Sequence, residues 1–338
     1  MENWYLQNGK DSDVVISSRI RFARNLEEFP FELKCSKKDK ENIVNEIEKL
    51  GHSIGYGLKL LKLKNIDDIT KMSLVEKHLI SPDFVLNRNE TGAILINDDE
   101  NICIMINEED HLRLQVFAPG LEIENLIKLA TEIDEKIGSL VKYIYNKKYG
   151  FLTACPSNVG TGMRASILVH LPGLAATGNI SKVLQIINNF GMNIRGIYGE
   201  GTDIASDMYQ VSNKQTLGIS ENEIIKNLKI ISDKIIEQEK LARKHLCKKG
   251  VEFEDNIYRK YGILSNCKKI SSQEARELIS KVKLGVDLGI IEEINDKKIK
   301  KLEIYCMPAN LQKYLGKTFD IYERDVKRAE VIKQIINE

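Results

Sequence analysis

Three short strand candidates lie close together in the first half of this chain. They are Ala93 to Ile96, Ile102 to Ile106 and His111 to Phe117, each apolar or alternating and of strand length. Short polar turns such as Asn97 to Glu100 separate them, whereas a parallel crossover needs about a dozen residues or more. The spacing therefore predicts antiparallel neighbours, and Val14 to Phe22 is a fourth strand candidate.

The rest of the chain divides into a mixed part and a helical part. Leu121 to Tyr145 has helical periodicity, and a strand-rich block runs from about Gly191 to Thr216. Capping sequences then open helices at Ser220 and Ser271, and a last helix is predicted from Ile321. We predict an α+β domain, a linker region and a smaller all-helical domain, at residues 1–240, 241–265 and 266–338.

Composition limits the classes of partner. The 338 residues are 42% hydrophobic and 29% charged, with a formal net charge of +1. Because the surface is close to neutral as a whole, we expect no direct binding to nucleic acid or membranes. No apolar stretch approaches the ~20 residues that span a bilayer, and the start of the chain lacks a signal-peptide pattern. The six cysteines show no zinc or Cys-x-x-Cys spacing, so we expect free thiols and a cytoplasmic location.

Arginines recur on one face of the predicted strands. In the first strand Ser17, Arg19 and Arg21 alternate with apolar residues and share a face. In the strand from His111, Arg113 likewise alternates with apolar residues. Guanidinium groups match phosphate oxygens bidentately, so two such strands favour a phosphate-binding surface. An exposed sheet face with solvated arginines is the alternative.

Acidic and glycine-rich segments flank these strands. Asn107 to Arg113 sets three carboxylates at the end of a buried strand, which is costly unless a cation binds there. Cys155 to Arg164 and Arg195 to Thr202 are glycine-rich, and the second contains a lone acid, Glu200. The first loop matches neither a Walker loop nor the dinucleotide fingerprint. A plain hairpin with a surface acid is the alternative for the second loop.

Taken together, these segments resemble the phosphagen (guanidino) kinase family. The matching motifs occur in the family's order and at compatible spacing: Ser17 to Arg21, Asn107 to Arg113, Cys155 to Arg164 and Arg195 to Glu200. The resemblance implies the family's glutamine-synthetase-like catalytic fold, a largely antiparallel sheet flanked by helices. It also implies ATP with Mg²⁺ as the phosphoryl donor.

The two ends of the chain depart from most of that family. Only some sixteen residues precede Ser17, so we expect the N-terminal domain that recognises small guanidines to be missing. The helical C-terminal part contains Arg324 to Ala329, as in the family's bacterial protein-arginine kinases. The resemblance implies phosphorylation of arginine residues in proteins. A small-guanidine (free arginine) kinase and a catalytically silent phosphoarginine-binding adaptor are the alternatives.

The resemblance also implies a role for each matching residue. The expected catalytic residues are Glu109, Glu200 and Cys155. The expected nucleotide contacts are Ser17, Ser18, Arg19, Ile20, Arg21, His78, Arg113, Arg164, Ala165, Ser166, Ile167, Leu168, Arg195, Gly196, Ile197, Tyr198, Gly199 and Glu200. The expected phosphoarginine pocket, an allosteric site, is Arg324, Asp325, Val326, Lys327, Arg328 and Ala329. No residue is assigned to the metal.

Within this scheme Glu109 and Glu200 grip the acceptor guanidinium, and Arg113 faces ATP without being neutralised by the neighbouring acids. Positive charge around Cys155 would favour its thiolate, with a buried inert thiol as the alternative. The expected biology is a stress response in which phosphoarginine marks clients for a Clp-type chaperone-protease. The expected partners are those clients, a zinc-binding activator protein and a second copy of the chain in a homodimer.

Overall fold

The computed structural model describes residues 3–86, 90–196 and 206–338. The strands in these ranges are β1 (Val15–Arg24), β2 (Lys59–Lys62), β3 (Ala93–Ile96), β4 (Ile102–Ile106), β5 (Leu112–Pro119), β6 (Tyr145–Asn146), β7 (Gly150–Phe151), β8 (Met163–His170), β9 (Met192–Gly196) and β10 (Met208–Asn213). The helices are α1 (Lys37–Ile54), α2 (Asp68–Glu76), α3 (Pro82–Leu86), α4 (Ile123–Leu140), α5 (Pro172–Ala176), α6 (Ile180–Asn189), α7 (Glu221–Cys247), α8 (Val251–Asn266), α9 (Ser272–Asp287), α10 (Asp296–Tyr305), α11 (Pro308–Leu315) and α12 (Ile321–Asn337).

Eight of the described strands form one sheet in the order β2-β3-β4-β5-β1-β8-β10-β9. Every neighbouring pair in it is antiparallel. The antiparallel sheet predicted from the short connections is therefore confirmed. β1 lies at the centre between β5 and β8, so its side chains meet those of both neighbours.

The two faces of the sheet have different surroundings. One face packs on α1, α4 and α7, whose apolar side chains form the main core with the buried residues of the central strands. In α4 the buried positions recur at helical spacing: Ile123, Leu126, Ala130, Ile133 and Ile137. The opposite face carries a smaller apolar cluster near α2 and, on the central strands, the arginines. The site therefore lies on the face that the main core leaves open.

The C-terminal helices have a hydrophobic core of their own. Its buried residues run from Ile257 in α8 to Ile336 in α12. Side-chain caps at Ser220 and Ser271 begin α7 and α9, and α12 begins at Ile321, so these helix predictions are confirmed. Residues 241–265 are largely helical, because they contain the end of α7 and most of α8.

Buried polar contacts join the helical part to the sheet part. Arg243 of α7 is 3% exposed and pairs with Glu239 and with Asp287 at the end of α9. The carboxylate of Glu76, the last residue of α2, accepts hydrogen bonds from two backbone N–H groups at the start of α11. None of the described helices is long and apolar enough to cross a membrane.

Candidate active site

Five arginines lie on the open face of the sheet. In β1, Arg19 is opposite Ser166 of β8, and Arg21 is opposite both Arg164 of β8 and Gln115 of β5. Directly opposed residues share a face. The same register brings in Arg113 from β5 and, through Gln210 of β10, Arg195 from β9. The arginines of this face are Arg19, Arg21, Arg113, Arg164 and Arg195.

Positive charges lie close together on this arginine face, and some of them are buried. Burial, together with the charges of Arg113 and Arg164, lowers the pKa of Arg19 to about 9 and that of Arg21 well below its ordinary value. The Nε atoms of Arg21 and Arg164 are buried without a hydrogen-bond partner among the described residues. Buried cations without counterions are costly, so the arrangement is suited to an anionic ligand with several oxygens.

Another arginine of the same strand behaves differently. Arg24 forms an ion pair with Asp134 at 2.7 Å and lies over the rings of Phe22, Tyr143 and Phe151. Its Nη1 also donates to two backbone carbonyls. Arg24 is therefore structural, unlike Arg21 of the same strand, whose buried Nε has no hydrogen-bond partner among the described residues.

The hairpin between β4 and β5 places three consecutive acids in three different environments. Glu108 pairs with Arg113 at 2.7 Å and accepts a hydrogen bond from Ser81 at 2.6 Å. Burial alone would raise the pKa of Glu108, but Arg113 and Ser81 hold it below its ordinary value. The expectation that these acids leave Arg113 unneutralised is therefore wrong for Glu108.

Asp110 and Glu109 differ in their contacts. Asp110 is buried and accepts hydrogen bonds from Asn25 at 2.7 Å and from the backbone N–H of Ala154 at 2.6 Å. It thereby ties the hairpin to the segment before Cys155. Glu109 is exposed, and its carboxylate has no hydrogen bond or ion pair with any described residue. Of the three acids, Glu109 alone is available to a ligand.

Glu109 opens onto a cleft of about 890 Å³, which Arg113 and Ala154 also line. Next to Ala154, Cys155 is partly exposed, with its Sγ 3.0 Å from the hydroxyl of Ser157. The buried thiol considered from the sequence is therefore not what the structure contains. The cleft brings a free carboxylate and a thiol-bearing loop to the edge of the arginine face.

The predicted nucleotide segments divide between the two faces of the sheet. Ser17, Ser166 and Leu168 share the arginine face or its rim. The side chains on the other face belong to the core or brace the backbone: Ser18, Ile20, Ala165 and Ile167. Gly196 ends β9, whereas Ile197, Tyr198, Gly199 and Glu200 lie outside the described residues.

His78 follows α2 and lines a pocket of about 50 Å³ together with Arg19. Burial and the charge of Arg19 lower the pKa of His78 to about 4, so its imidazole is neutral at physiological pH. Sequence reasoning missed three other lining residues, Trp4, Phe117 and Gln210. Phe117 lies four residues after Arg113 in β5 and so shares its face, which is a usable signal, whereas Trp4 and Gln210 offered none.

The expected phosphoarginine pocket is partly closed in this structure. Arg328 is 1% exposed, pairs with Asp325 at 2.6 Å, and donates to the carbonyls of Ile270 and Cys306. Arg324 is partly exposed, with a buried Nε that has no hydrogen-bond partner among the described residues. The remaining positions are partly exposed or buried: Val326, Lys327 and Ala329.

The described residues contain no group of three or more side chains placed to hold a metal ion. Glu108 and Asp110 already accept hydrogen bonds from protein groups. Mg²⁺ commonly binds through substrate phosphates and water with few protein ligands. The residues present therefore fit a metal carried in by a nucleotide rather than one held by a protein cage.

Residues 39–242 match the sequence profile of the ATP:guanido phosphotransferase C-terminal catalytic domain. The chain belongs to this family. Residues 250–338 match the profile of the protein-arginine kinase McsB C-terminal domain. The first profile covers β2 to β10, with Glu109, Arg113, Arg164 and Arg195, whereas β1 with Arg19 and Arg21 precedes it. The second profile covers α8 to α12.

Named relatives resemble the whole chain. A protein-arginine kinase from Halothermothrix orenii is 44% identical over 100% of this chain and 97% of its own length. One from Bacillus pumilus is 42% identical over 99% of this chain and 93% of its own. Among solved structures, a lombricine kinase is 24% identical with a TM-score of 0.59, over 68% of this chain and 67% of its own. This structural similarity confirms the phosphagen kinase fold.

The duplicated taurocyamine kinase from Schistosoma mansoni, solved with bound transition state analog components, is a second structural neighbour. It is 23% identical with a TM-score of 0.62, over 80% of this chain and 40% of its own. At this low sequence identity, the structural similarity supports the fold alone.

Proposed function

We propose that this chain is an ATP-dependent protein-arginine kinase that transfers the γ-phosphoryl group to arginine side chains in proteins. The observation that carries the proposal is the arginine face with an unpaired carboxylate, Glu109, at its edge. Such a surface accepts an anionic donor and a cationic acceptor side by side. The relatives named protein-arginine kinase, similar over the full chain, support the choice of a protein acceptor.

The arginines would act mainly on the donor. Phosphoryl transfer depends on positioning and charge stabilisation more than on covalent chemistry by the protein. Arg19, Arg21 and Arg164 are held by neighbouring strands, so they need little rearrangement to contact phosphate oxygens as charge moves in the transition state. Mg²⁺ bound with the nucleotide would neutralise phosphate charge. Neutral His78 would contact the nucleoside side of the phosphates.

Glu109 would act on the acceptor. A guanidinium has a pKa above ~12 and is a poor nucleophile while protonated. By accepting hydrogen bonds from it, Glu109 would aim one nitrogen at the γ-phosphorus. The N–P bond forms as the bond to the β–γ bridging oxygen breaks, and a proton leaves the guanidinium towards the carboxylate. Glu200 is proposed as a second carboxylate for the guanidinium, and Cys155 lies in the loop beside the same cleft.

The finer expectations belong to this proposal. They are a cytoplasmic, stress-related role, delivery of clients to a Clp-type protease, a zinc-binding activator and a homodimer. The phosphoarginine pocket also remains a proposal. Because Arg328 is paired and buried, a phosphoarginine would first contact Arg324. Asp325 would then have to release Arg328 in order to pair with the guanidinium of the ligand.

The test is a phosphorylation assay with Mg-ATP and either a casein-type protein or free arginine. We expect acid-labile phosphate on protein only. Glu109→Gln should lower kcat by about 10²-fold or more and leave the Kd for ADP unchanged, because Glu109 does not belong to the arginine face. Glu90→Gln is the matched control, since Glu90 is an exposed acid of the same cleft.

Each other result identifies a different function. Phosphate on free arginine alone would support a small-guanidine kinase. No phosphate on either acceptor, with phosphoarginine binding retained, would support the adaptor. Full turnover by Glu109→Gln would remove Glu109 from the mechanism.

A further inference from the structure

A second cavity, of about 140 Å³, lies between the sheet and the C-terminal helices. The sheet side contributes Ile16, Ser17 and Leu168. The helical side contributes residues of α9 and α10: Arg276, Ile279, Ser280, Lys300, Glu303 and Ile304. The walls of this cavity therefore come from two parts of the fold, the sheet and the helical part with its separate core.

The cavity adjoins the arginine face. Trp4, Ser17, His78 and Leu168 line both this cavity and the smaller pocket that contains Arg19. A nucleotide whose phosphates lie on Arg19 would thus have its nucleoside end next to the larger space. The phosphate surface and the cavity are parts of one continuous depression.

The size and chemistry of the cavity suit an aromatic base. A cavity of about 150 Å³ lined by apolar residues can hold a benzene-sized ring. Here Ile16, Ile279 and Ile304 supply apolar walls, and most of the lining surface is apolar although polar side chains such as Arg276 and Glu303 also border it. Small-molecule sites are typically apolar with a few polar groups that fix orientation.

Glu303 is the polar group on the helical side whose bonding capacity is not used. Its Oε1 is buried without a hydrogen-bond partner among the described residues. The nearby ammonium of Lys300 instead donates to the carbonyl of Gln7 at 2.7 Å and pairs with Asp296 at 2.9 Å. Burial raises the pKa of Glu303 to about 7. Near neutral pH this carboxyl group can therefore both donate and accept hydrogen bonds.

We propose that α9 and α10 complete the nucleoside end of the ATP site, with Glu303 bonding the polar edge of adenine and Ile279 and Ile304 packing on its ring. The inference rests on the proposed use of ATP. Adenine presents an amine donor beside a ring-nitrogen acceptor, which a carboxyl group complements. The helical part would then determine affinity for the base, while the arginine face determines affinity for the phosphates.

The test uses the single tryptophan of the chain, Trp4, which lines the cavity and stacks on Phe117 at 5.2 Å. Its fluorescence is titrated in the full-length chain with ADP and with inorganic tripolyphosphate. Glu303→Ala should raise the Kd for ADP by about tenfold, the size of one lost hydrogen bond to a buried acid. The Kd for tripolyphosphate should stay within about twofold, since its ligands are the arginines.

Two further variants keep the test decisive. Ile304→Phe fills the cavity and should exclude ADP but not tripolyphosphate. Glu292→Gln, at an exposed acid before α10, should change neither Kd. The inference is overturned if Glu303→Ala and Ile304→Phe bind ADP like the wild type, or if they lose both ligands equally. Failure of the wild type to bind tripolyphosphate would instead contradict the proposed function.

Discussion

His78 combines an uncommon backbone conformation with a position in the nucleotide pocket. Its φ of 60° lies in the left-handed region, at the position after α2 where glycine is usual. This conformation costs a non-glycine residue roughly 1–2 kcal/mol. A strained residue at a pocket wall indicates that its side chain is retained for a contact rather than for stability.

We therefore expect His78→Gly to separate stability from function. Relief of the backbone strain should offset the lost packing, so the free energy of unfolding should change by less than about 1 kcal/mol. The KM for ATP should rise several-fold, because the imidazole is gone. Urea unfolding and steady-state kinetics measure the two quantities.

His78→Ala is the control for this substitution, since it removes the imidazole but keeps a Cβ in the left-handed conformation. It should be less stable than His78→Gly and equally impaired towards ATP. An unchanged KM in both variants would show that His78 does not contact the nucleotide.

At the scale of single residues, the sequence predicted which types of group meet but not how they pair. Alternation in β1 was enough to place Arg19 and Arg21 on one face. It could not show that Glu108, rather than Glu109, pairs with Arg113. The directions of these two side chains depend on the conformation of the turn, in which Asn107 has a positive φ, and the sequence pattern does not give that conformation. Glu303 had no sequence signal, since its cavity is formed by segments far apart in the chain.

Among the elements, α2 connects the nucleotide pocket to the helical part. Its last residue, Glu76, accepts hydrogen bonds from the N–H groups of Ala309 at 2.7 Å and Asn310 at 2.8 Å. The adjacent hydroxyl of Ser73 also contacts the side chain of Asn310 at 2.6 Å. Because His78 lies only two residues after Glu76, the position of α11 helps to fix the imidazole.

Glu76→Ala should therefore affect both stability and nucleotide affinity. Loss of an acceptor at a helix start costs about 1–2 kcal/mol. We expect a lower Tm and a higher KM for ATP, measured by thermal unfolding and kinetics.

Glu323→Ala is the matched control, because Glu323 caps the start of α12 and has no described hydrogen bond to α2. It should lower Tm without changing KM. If Glu76→Ala also leaves KM unchanged, the orientation of His78 does not depend on α11.

Strands and helices were predictable where one face is buried, since a period of two or of 3.6 residues then appears in the sequence. α7 shows the helical period, whereas β3 and β4 are buried along their whole length and were recognisable as short continuous apolar runs. The linker region was harder to predict. The basic residues at the end of α7 have no apolar periodicity in the sequence, although they are helical in the structure. The boundaries at 240 and 266 remain predictions.

In the whole molecule, Arg243 joins the two hydrophobic cores. It pairs with Glu239 at 2.7 Å and with Asp287 at 3.3 Å. It also donates to the carbonyls of Asp13, just before β1, and His170, at the end of β8. One guanidinium thus contacts the sheet, α7 and the end of α9, all in a buried setting.

We expect Arg243→Met to destabilise the protein by about 3–5 kcal/mol, because it leaves Glu239 buried without its cation. Urea unfolding measures the loss, and trypsin should cleave faster at Lys248 or Lys249, in the turn between α7 and α8, as the two cores separate. Lys240→Met is the control on the same helix. Its partly exposed pair with Asp11 should contribute less than about 1 kcal/mol.

A double variant distinguishes the cause of that loss. If the uncompensated carboxylate is responsible, Arg243→Met with Glu239→Gln should recover part of the stability, although the amide can accept fewer hydrogen bonds from Gly173 and Leu174. If the contacts to the carbonyls of Asp13 and His170 matter most, the double variant should be no more stable than Arg243→Met. A loss below about 1 kcal/mol in Arg243→Met itself would mean that apolar packing, rather than this buried ion pair, holds the helical part against the sheet.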